Sequence, residues 1–384
     1  MKIFLINNLY TPYNRGGAEQ VTQAIAQGLK EHGHKVLIIT TRPRFARKPN
    51  KSSQEKIYRL PSLFFDLNKI PTFFRIFWHF LDIFDFLNYF KIKKILHKEK
   101  CDLVITNNLK GLSYLIPRLI RKLKIKHYHI LHDIQLIHPS GLLRYGQEKK
   151  LNSFLTKIHA KLCTKLFASP DLIISPSRWL LDLHHNFKFF PQSRKITQNN
   201  PLNTNFFRKQ NKIKKNKIFT LLYVGQVTEH KGVLFLIQVF RKYFKNREIN
   251  LEIIGNGDDL EIAKKLSTNL ENIKFLGKLS HQKVQEKMQE VHALIVPSLC
   301  YENSPTVIYE AASLGLPIIA SNLGGIPELI NKFGGYLFTP HNEKDLKEKI
   351  ENLIKKEKHT IENVSLDSEI KNLEIENYLR KIGL

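Results

Sequence analysis

Residues 297–328 read PSLCYENSPTVIYEAASLGLPIIASNLGGIPE. Two glutamates, Glu302 and Glu310, lie between the apolar runs ALIVPS (293–298) and PIIAS (317–321), and the pair Gly324-Gly325 follows. An apolar run, a helical stretch and a second apolar run form the rhythm of a strand–helix–strand unit. On one continuous helix the eight-residue separation of the glutamates would be a rise of ~12 Å. That is too far for two carboxylates to act on one bond, but it matches the span from a sugar to a ribose across a diphosphate. The helix is expected to begin near Ser304 or Pro305, because proline suits a first turn. Its free N–H groups and positive dipole end, around Ser304, Thr306 and Val307, would then point at phosphates.

Working outward, the same rhythm fills the chain. Strands are expected at KIFLI (2–6), KVLIITT (35–41), DLVITN (102–107), KHYHILHD (126–133) and DLIISPS (171–177). A second series follows at IFTLLYVG (218–225), LEIIG (251–255), IKFLG (273–277), 293–298 and 317–321. Short apolar strands separated by helices imply parallel sheets covered on both faces. The fold class is α/β, with two Rossmann-like domains: residues 1–203, then 204–365. The basic run RKQNKIKKNK (208–217) has no interleaved aromatics and reads as a solvated linker. Residues 366–384 are expected to form a C-terminal helical tail. Ligands in such sheets bind outside the carboxyl ends of the strands.

Composition excludes several classes. The chain has 384 residues, enough for two domains of ordinary size. Cys101, Cys163 and Cys300 are an odd, widely spaced set without a CxxC pair. That argues against a disulfide framework or a structural zinc site and fits a reducing cytoplasm. The N-terminal apolar run is too short for a signal segment, and no stretch reaches the length of a membrane span. The net charge of +27 favours polyanions in general, whether nucleic acid, an anionic membrane or phosphorylated substrates. A nucleic-acid role would rest on charge alone, and none is expected.

Several motifs place chemistry on this frame. VGQVTEHKGV (224–233) runs from a strand through a turn into a helix and sets Lys231-Gly232 at the turn. A lone lysine opening a helix is commonly just a surface residue, but the Gly-x5-Lys-Gly spacing after a buried strand favours a functional one. Gly16-Gly17 opens the first helix, where glycine lets backbone approach a phosphate or acceptor closely. GNGDD (255–259) supports the fold without naming a ligand. In KHYHILHD the histidines His127, His129 and His132 raise a metal-hydrolase reading. The aspartate such a site needs is replaced by Leu131, so His127 and His129 read as structural.

Together these motifs resemble the family 4 (group 1) retaining glycosyltransferases of the GT-B fold. The resemblance covers nearly the whole chain and is most specific over 293–328. It implies two Rossmann-like domains facing a central cleft, with the tail crossing back onto the first. It assigns Glu310 to the donor ribose and Glu302, with His132 and Asp133, to the transferred sugar. Lys231 would neutralise the diphosphate, and Leu279 would lie where backbone meets the base. One departure stands out: the family carries arginine directly after Gly225, where this chain has Gln226, a neutral amide that cannot supply a second positive charge. No metal or other cofactor is implied, and the chain lacks any Asp-x-Asp. The implied reaction is retaining transfer from a nucleotide diphosphate sugar to a glycan or lipid-linked acceptor in polysaccharide or lipopolysaccharide synthesis. A nucleotide-sugar epimerase or a phosphorylase on the same fold, or a non-catalytic assembly partner, are the rivals.

Eleven aromatic side chains lie between Phe64 and Phe90, flanked by Arg75, Lys91, Lys93 and Lys94. Phe73, Phe77, Phe80, Phe84 and Leu87 follow 3–4 spacing and are expected in a helix core. The remaining aromatics, Trp78 among them, read either as more core or as an interfacial helix on anionic lipid. The second reading makes the protein peripheral on the cytoplasmic face of a membrane.

Overall fold

In a computed structural model of the chain, the residues described are 1–13, 16–44, 56–65, 71, 74–202, 217–357 and 367–384. Phe73, the basic run up to residue 216 and the segment 358–366 lie outside them. The chain divides into two units: residues 1–142, 149–201 and 375–384, then residues 143–148 and 202–374.

The first unit contains β1 (Lys2–Ile6), α1 (Gly17–Glu31), β2 (Lys35–Pro43), β3 (Lys56–Ser62), α2 (Arg75–Ile83), α3 (Phe86–Glu99) and β4 (Leu103–Thr106). It continues with α4 (Ile116–Lys122), β5 (Lys126–Ile130), α5 (Phe154–Phe167), β6 (Leu172–Ser175), α6 (Arg178–Asn186) and β7 (Arg194–Thr197). Among the described residues the sheet order is β3-β2-β1-β4-β5-β6-β7, and every pairing is parallel. The chain moves to one side for three strands and then returns past β1, the doubly wound order that places loops at the carboxyl ends of β1 and β4. The middle strands are buried on both faces, which explains their unbroken apolar runs.

The second unit contains β8 (Phe219–Val224), α7 (Val233–Tyr243), β9 (Ile249–Ile254), α8 (Leu260–Leu266), β10 (Ile273–Gly277), α9 (His281–Glu290) and β11 (Ala293–Val296). Then come α10 (Thr306–Ser313), β12 (Ile318–Ser321), α11 (Ile326–Phe333), β13 (Tyr336–Phe338), α12 (Glu343–Glu357) and α13 (Asp367–Lys371). Its order, β10-β9-β8-β11-β12-β13, repeats the same parallel winding. Two apolar clusters cover the two faces of this sheet.

The tail divides. Residues 367–374 stay with the second unit, where Lys332 pairs with Glu369 at 2.8 Å and Leu202 N–H donates to the Leu373 carbonyl. Only the last helix, α14 (Ile375–Ile382), joins the first unit. It buries Ile375, Tyr378, Leu379 and Ile382 in one cluster with Val21, Ile25 and Leu29 of α1. Each such side chain is worth about 1.5–3 kcal/mol when fully buried.

The aromatic segment reverses part of its expected burial. Trp78 is core, 6% exposed, whereas Phe77, Phe80 and Leu87 are 64%, 61% and 75% exposed. Asp82 and Ile83 are buried on the Trp78 side of α2, and Asn88, Ile92 and Leu96 are the buried residues of α3. Among the described members of the 3–4 series, Phe77 and Phe80 are exposed on α2 and Leu87 on α3, and Phe84 is half-buried where α2 ends, so the series is not the helix core. Among the described residues no helix is long and apolar enough to cross a membrane.

Candidate active site

In the second unit, the turn after β8 closes in a short 3-10 helix, Glu229–Lys231. Gly232 follows with φ 76°, in the left-handed region, and a Cβ there would run into the Pro297 carbonyl. Glycine is therefore what lets this turn lie against the chain leaving β11. The Lys231 ammonium reaches Glu302 in an ion pair, and Ser298 Oγ donates to the same Glu302 oxygen at 2.9 Å.

Glu302 is also held through its backbone. Gly325 N–H donates to the Glu302 carbonyl at 2.8 Å, and Gly324, at φ 64°, leaves no room for a Cβ beside that carbonyl. The glycine pair thus fixes the Glu302 loop. Burial alone would raise the Glu302 carboxyl, but Lys231 and Ser298 outweigh it and hold the group below the ordinary carboxylate range. The same opposition acts on Lys231, where burial lowers and Glu302 raises, leaving it above the usual lysine value. Both partners are therefore charged.

Glu302 and Glu310 do not share one helix. Glu302 lies in the loop before α10, whose N-cap is Pro305, and only Glu310 is helical. The helical rise does not set their separation. Glu310 is buried, 4% exposed, and its Oε1 lies 3.3 Å from His281 Nε2. His281 opens α9 directly behind the N-cap Ser280. Its bond to Glu310 raises it above the ordinary histidine value against the opposing effect of burial. Leu279 and Val307 pack their apolar surfaces on the same core cluster, and Ser304 Oγ is hydrogen-bonded to Tyr309 Oη. Gln226 is exposed at the turn, where its carbonyl accepts from Tyr223 Oη at 2.6 Å and from Thr228 N–H at 3.0 Å.

In the first unit, His132 and Asp133 follow β5. His132 Nε2 is 2.8 Å from Asn107 Oδ1, and burial pushes its imidazole down to about 4, so the ring is neutral at physiological pH. Asp133 accepts from Gln135 N–H at 2.7 Å, from Gln135 Nε2 at 2.9 Å and from Asn108 Nδ2 at 3.4 Å. These bonds shape the loop around the carboxylate. His127 and His129 are buried, and Thr106 Oγ1 lies 2.8 Å from His127 Nε2 and 2.8 Å from His129 Nδ1. One hydroxyl can donate to one ring and accept from the other only if the tautomers are complementary. At the start of α1, Gly16 N–H donates to Glu19 Oε2 at 2.6 Å, so in this conformation it is engaged by the helix's own cap.

Ser298, His281 and the Glu302-fixing role of the glycine pair were not read from the sequence. Ser298 lies inside the quoted stretch. His281, by contrast, stands 29 residues from the glutamate it contacts and carries no local signal.

The chain belongs to the glycosyltransferases of family 4, group 1. Residues 15–206 match the family described as Glycosyltransferase Family 4, and residues 203–366 match Glycosyl transferases group 1. Among relatives, it is 28% identical over 338 residues to an uncharacterized 42.6 kDa protein in the cps region of Klebsiella pneumoniae, covering 86% of this chain and 87% of that one. It is 26% identical over 276 residues to the O-antigen biosynthesis glycosyltransferase WbnH of Escherichia coli, covering 70% and 72%. Among solved structures, Alr3699/HepE of Anabaena, in complex with UDP, superposes with a TM-score of 0.70 over 100% of this chain and 98% of that chain, at 16% identity. At that identity the likeness is one of fold, and it makes this a two-domain GT-B architecture.

Proposed function

We propose that this glycosyltransferase moves a sugar, with retention at the anomeric carbon, from a nucleoside diphosphate sugar to a glycan or lipid-linked acceptor of a cell-surface polysaccharide. The observation that carries the reading is the Lys231–Glu302 pair, held beside the N-terminal end of the helix that buries Glu310. A diphosphate arriving at that helix end competes with Glu302 for the Lys231 ammonium. Glu302, released, accepts hydrogen bonds from the hydroxyls of the transferred sugar, and Glu310 accepts from those of the ribose.

As the bond from the anomeric carbon to the diphosphate breaks, its electron pair goes to the leaving oxygen. The acceptor hydroxyl oxygen bonds to the same carbon on the same face and passes its proton to the leaving diphosphate. Lys231 and the first-turn N–H groups at Thr306 and Val307 carry the developing charge. No step calls on a metal. His132, neutral, and Asp133 are assigned to the transferred sugar on the family resemblance. That HepE binds UDP, and that WbnH is named for O-antigen biosynthesis, support the donor class and the acceptor class.

The test is a panel of UDP-, GDP- and ADP-sugars scored for nucleotide release with and without lipid-linked acceptors, with product anomers assigned by NMR. Acceptor-dependent release with retained configuration is expected. Conversion of the donor sugar without acceptor would make the protein an epimerase, and silence on every donor would favour an assembly partner.

We further infer that the outer face of α2 and α3 lies on an anionic leaflet. Phe77, Phe80, Leu81, Phe86, Leu87 and Phe90 are all exposed, and Lys91, Lys93 and Lys94 are exposed beside them. Apolar insertion and attraction of lysines to anionic lipid are each weak but add, at about 1 kcal/mol per basic residue near the surface.

A further inference from the structure

Residues 143–148 come from the first half of the chain yet are built into the second unit. Arg144 forms an antiparallel bridge with Cys300. Tyr145 N–H donates to the Leu299 carbonyl at 2.9 Å, and Tyr301 N–H donates to the Leu143 carbonyl at 2.9 Å. Tyr301 Oη donates to Glu148 Oε1 at 2.7 Å. On its other side the 299–301 segment is tied to the Lys231 turn, since Leu299 N–H donates to the His230 carbonyl at 2.9 Å. Arg144 is thus one hydrogen-bonded strip away from the turn that carries Lys231, and its strand partner stands two residues before Glu302.

The side chain points the same way. Arg144 Nη1 lies 2.9 Å from Glu229 Oε2, and Glu229 stands two residues before Lys231. The two side chains are 42% and 63% exposed, so their attraction is screened and easily exchanged. Burial dominates the titration of His230 and of Cys300, and at both groups the charges of Lys231 and Arg144 register together.

A nucleotide-sugar diphosphate brings one negative charge on each phosphoryl group. In the second unit the Lys231 charge is already balanced by Glu302. His230 is held below the ordinary histidine value, first by burial and then by Lys231, and the exposed turn residue Gln226 carries no charge. Among the described residues of that turn no second charged cation stands beside Lys231, and Arg144 is a guanidinium within reach of it, paired with a surface carboxylate. We propose that Arg144 is the second cation of the donor diphosphate site, exchanging Glu229 for a phosphoryl oxygen when the donor binds. A guanidinium suits the task because its forked N–H groups match phosphate geometry. This inference rests on the donor-site reading above. It makes the 143–148 strip a part of donor recognition and not merely a connection.

The bland reading is that Arg144 and Glu229 only pin the strip in place, and the two readings differ in sign at Glu229. UDP, GDP and ADP, each with its monophosphate, are titrated calorimetrically into the full chain at one ionic strength, with folding checked by thermal melts. For the nucleoside diphosphate that binds, Arg144→Ala should weaken affinity about tenfold, while the monophosphate is nearly unaffected and Arg144→Lys recovers part of the loss. Glu229→Gln should leave diphosphate affinity equal or tighter. Unchanged diphosphate affinity in Arg144→Ala, or a Glu229→Gln loss matching it, would overturn the proposal. Lys231→Ala separates the two levels. If it weakens binding and Arg144→Ala does not, the donor site stands and this inference falls. If no nucleotide binds the wild type, both fall.

Discussion

Lys231 and Glu302 stand 71 residues apart in the chain and meet as an ion pair in which Ser298 shares the same carboxylate oxygen. Removing one partner leaves the other partly buried and uncompensated. Lys231→Met should therefore lower stability by about 1–3 kcal/mol and turnover by about a hundredfold or more. Glu302→Gln in the same background should restore much of the stability but none of the activity, because the orphaned charge is gone while the chemistry is not regained. Denaturant unfolding and single-turnover rates on the two singles and the double test this. Strict additivity would dissolve the pair.

Glu310→Ala should weaken donor binding by about 1.5–3 kcal/mol, the range of a hydrogen bond to a charged group. The buried carboxylate pairs with His281, and that ring is nearly half exposed. The fold should therefore tolerate the change. Titration with the donor nucleotide measures the effect, and an unaltered dissociation constant would take Glu310 out of the site.

Transfer should survive exhaustive chelation. On the proposed chemistry Lys231, Arg144 and the first turn of α10 carry the leaving charge. Activity after EDTA treatment and desalting should match the untreated enzyme. A loss that added magnesium or manganese restores would require a different account of the diphosphate.

Stability should fall with acid before the surface carboxylates matter. Burial pushes His127 down to about 3 and His184 to about 4, and holds His129 well below its ordinary value. The unfolded chain takes up these protons near pH 6.5, while the folded state refuses them until far lower pH. Stability contributed by each ring is complete above pH 6.5 and is lost as pH falls toward 4, at up to about 1.4 kcal/mol per pH unit. Denaturation midpoints between pH 7 and 4.5 read this out. His184→Phe should flatten the slope, and an unchanged slope would mean the rings titrate normally.

Membrane contact and core packing should separate within the α2–α3 segment. Replacing Phe77, Phe80 and Leu87 with serine should abolish sedimentation with anionic vesicles at low salt and leave melting almost unchanged. Trp78→Ala should cost about 3–5 kcal/mol of stability, because that ring is interior. Sedimentation that persists in the triple variant would place the lipid contact elsewhere or nowhere.

The middle strands of both sheets were legible because burial on both faces demands unbroken apolar runs. The strands not read, β3, β7 and β13, are all edges. An edge strand pairs on one side only, so β7 needs no more than Arg194–Thr197, half exposed and mostly polar. The quoted stretch disclosed Glu302 and Glu310 and the start of α10 near Pro305, but the ~12 Å helical rise does not describe their separation, because Glu302 precedes the helix and only Glu310 lies on it. In the aromatic segment, periodicity defined two faces, and both were apolar enough to be core. The partners His281 and Arg144 stayed hidden because their contacts join residues remote in sequence.

The placement of α14 has a consequence in time. The first unit's sheet is encoded before residue 202, yet Ile375, Tyr378, Leu379 and Ile382 complete the apolar layer over α1. During synthesis this unit must wait with the Ile25 and Leu29 side of α1 uncovered until residues 375–382 have emerged. A chain cut short after residue 374 would carry every residue assigned here to chemistry and still present an open hydrophobic seam. Quality control that senses such seams would in effect be checking that α14 has been made.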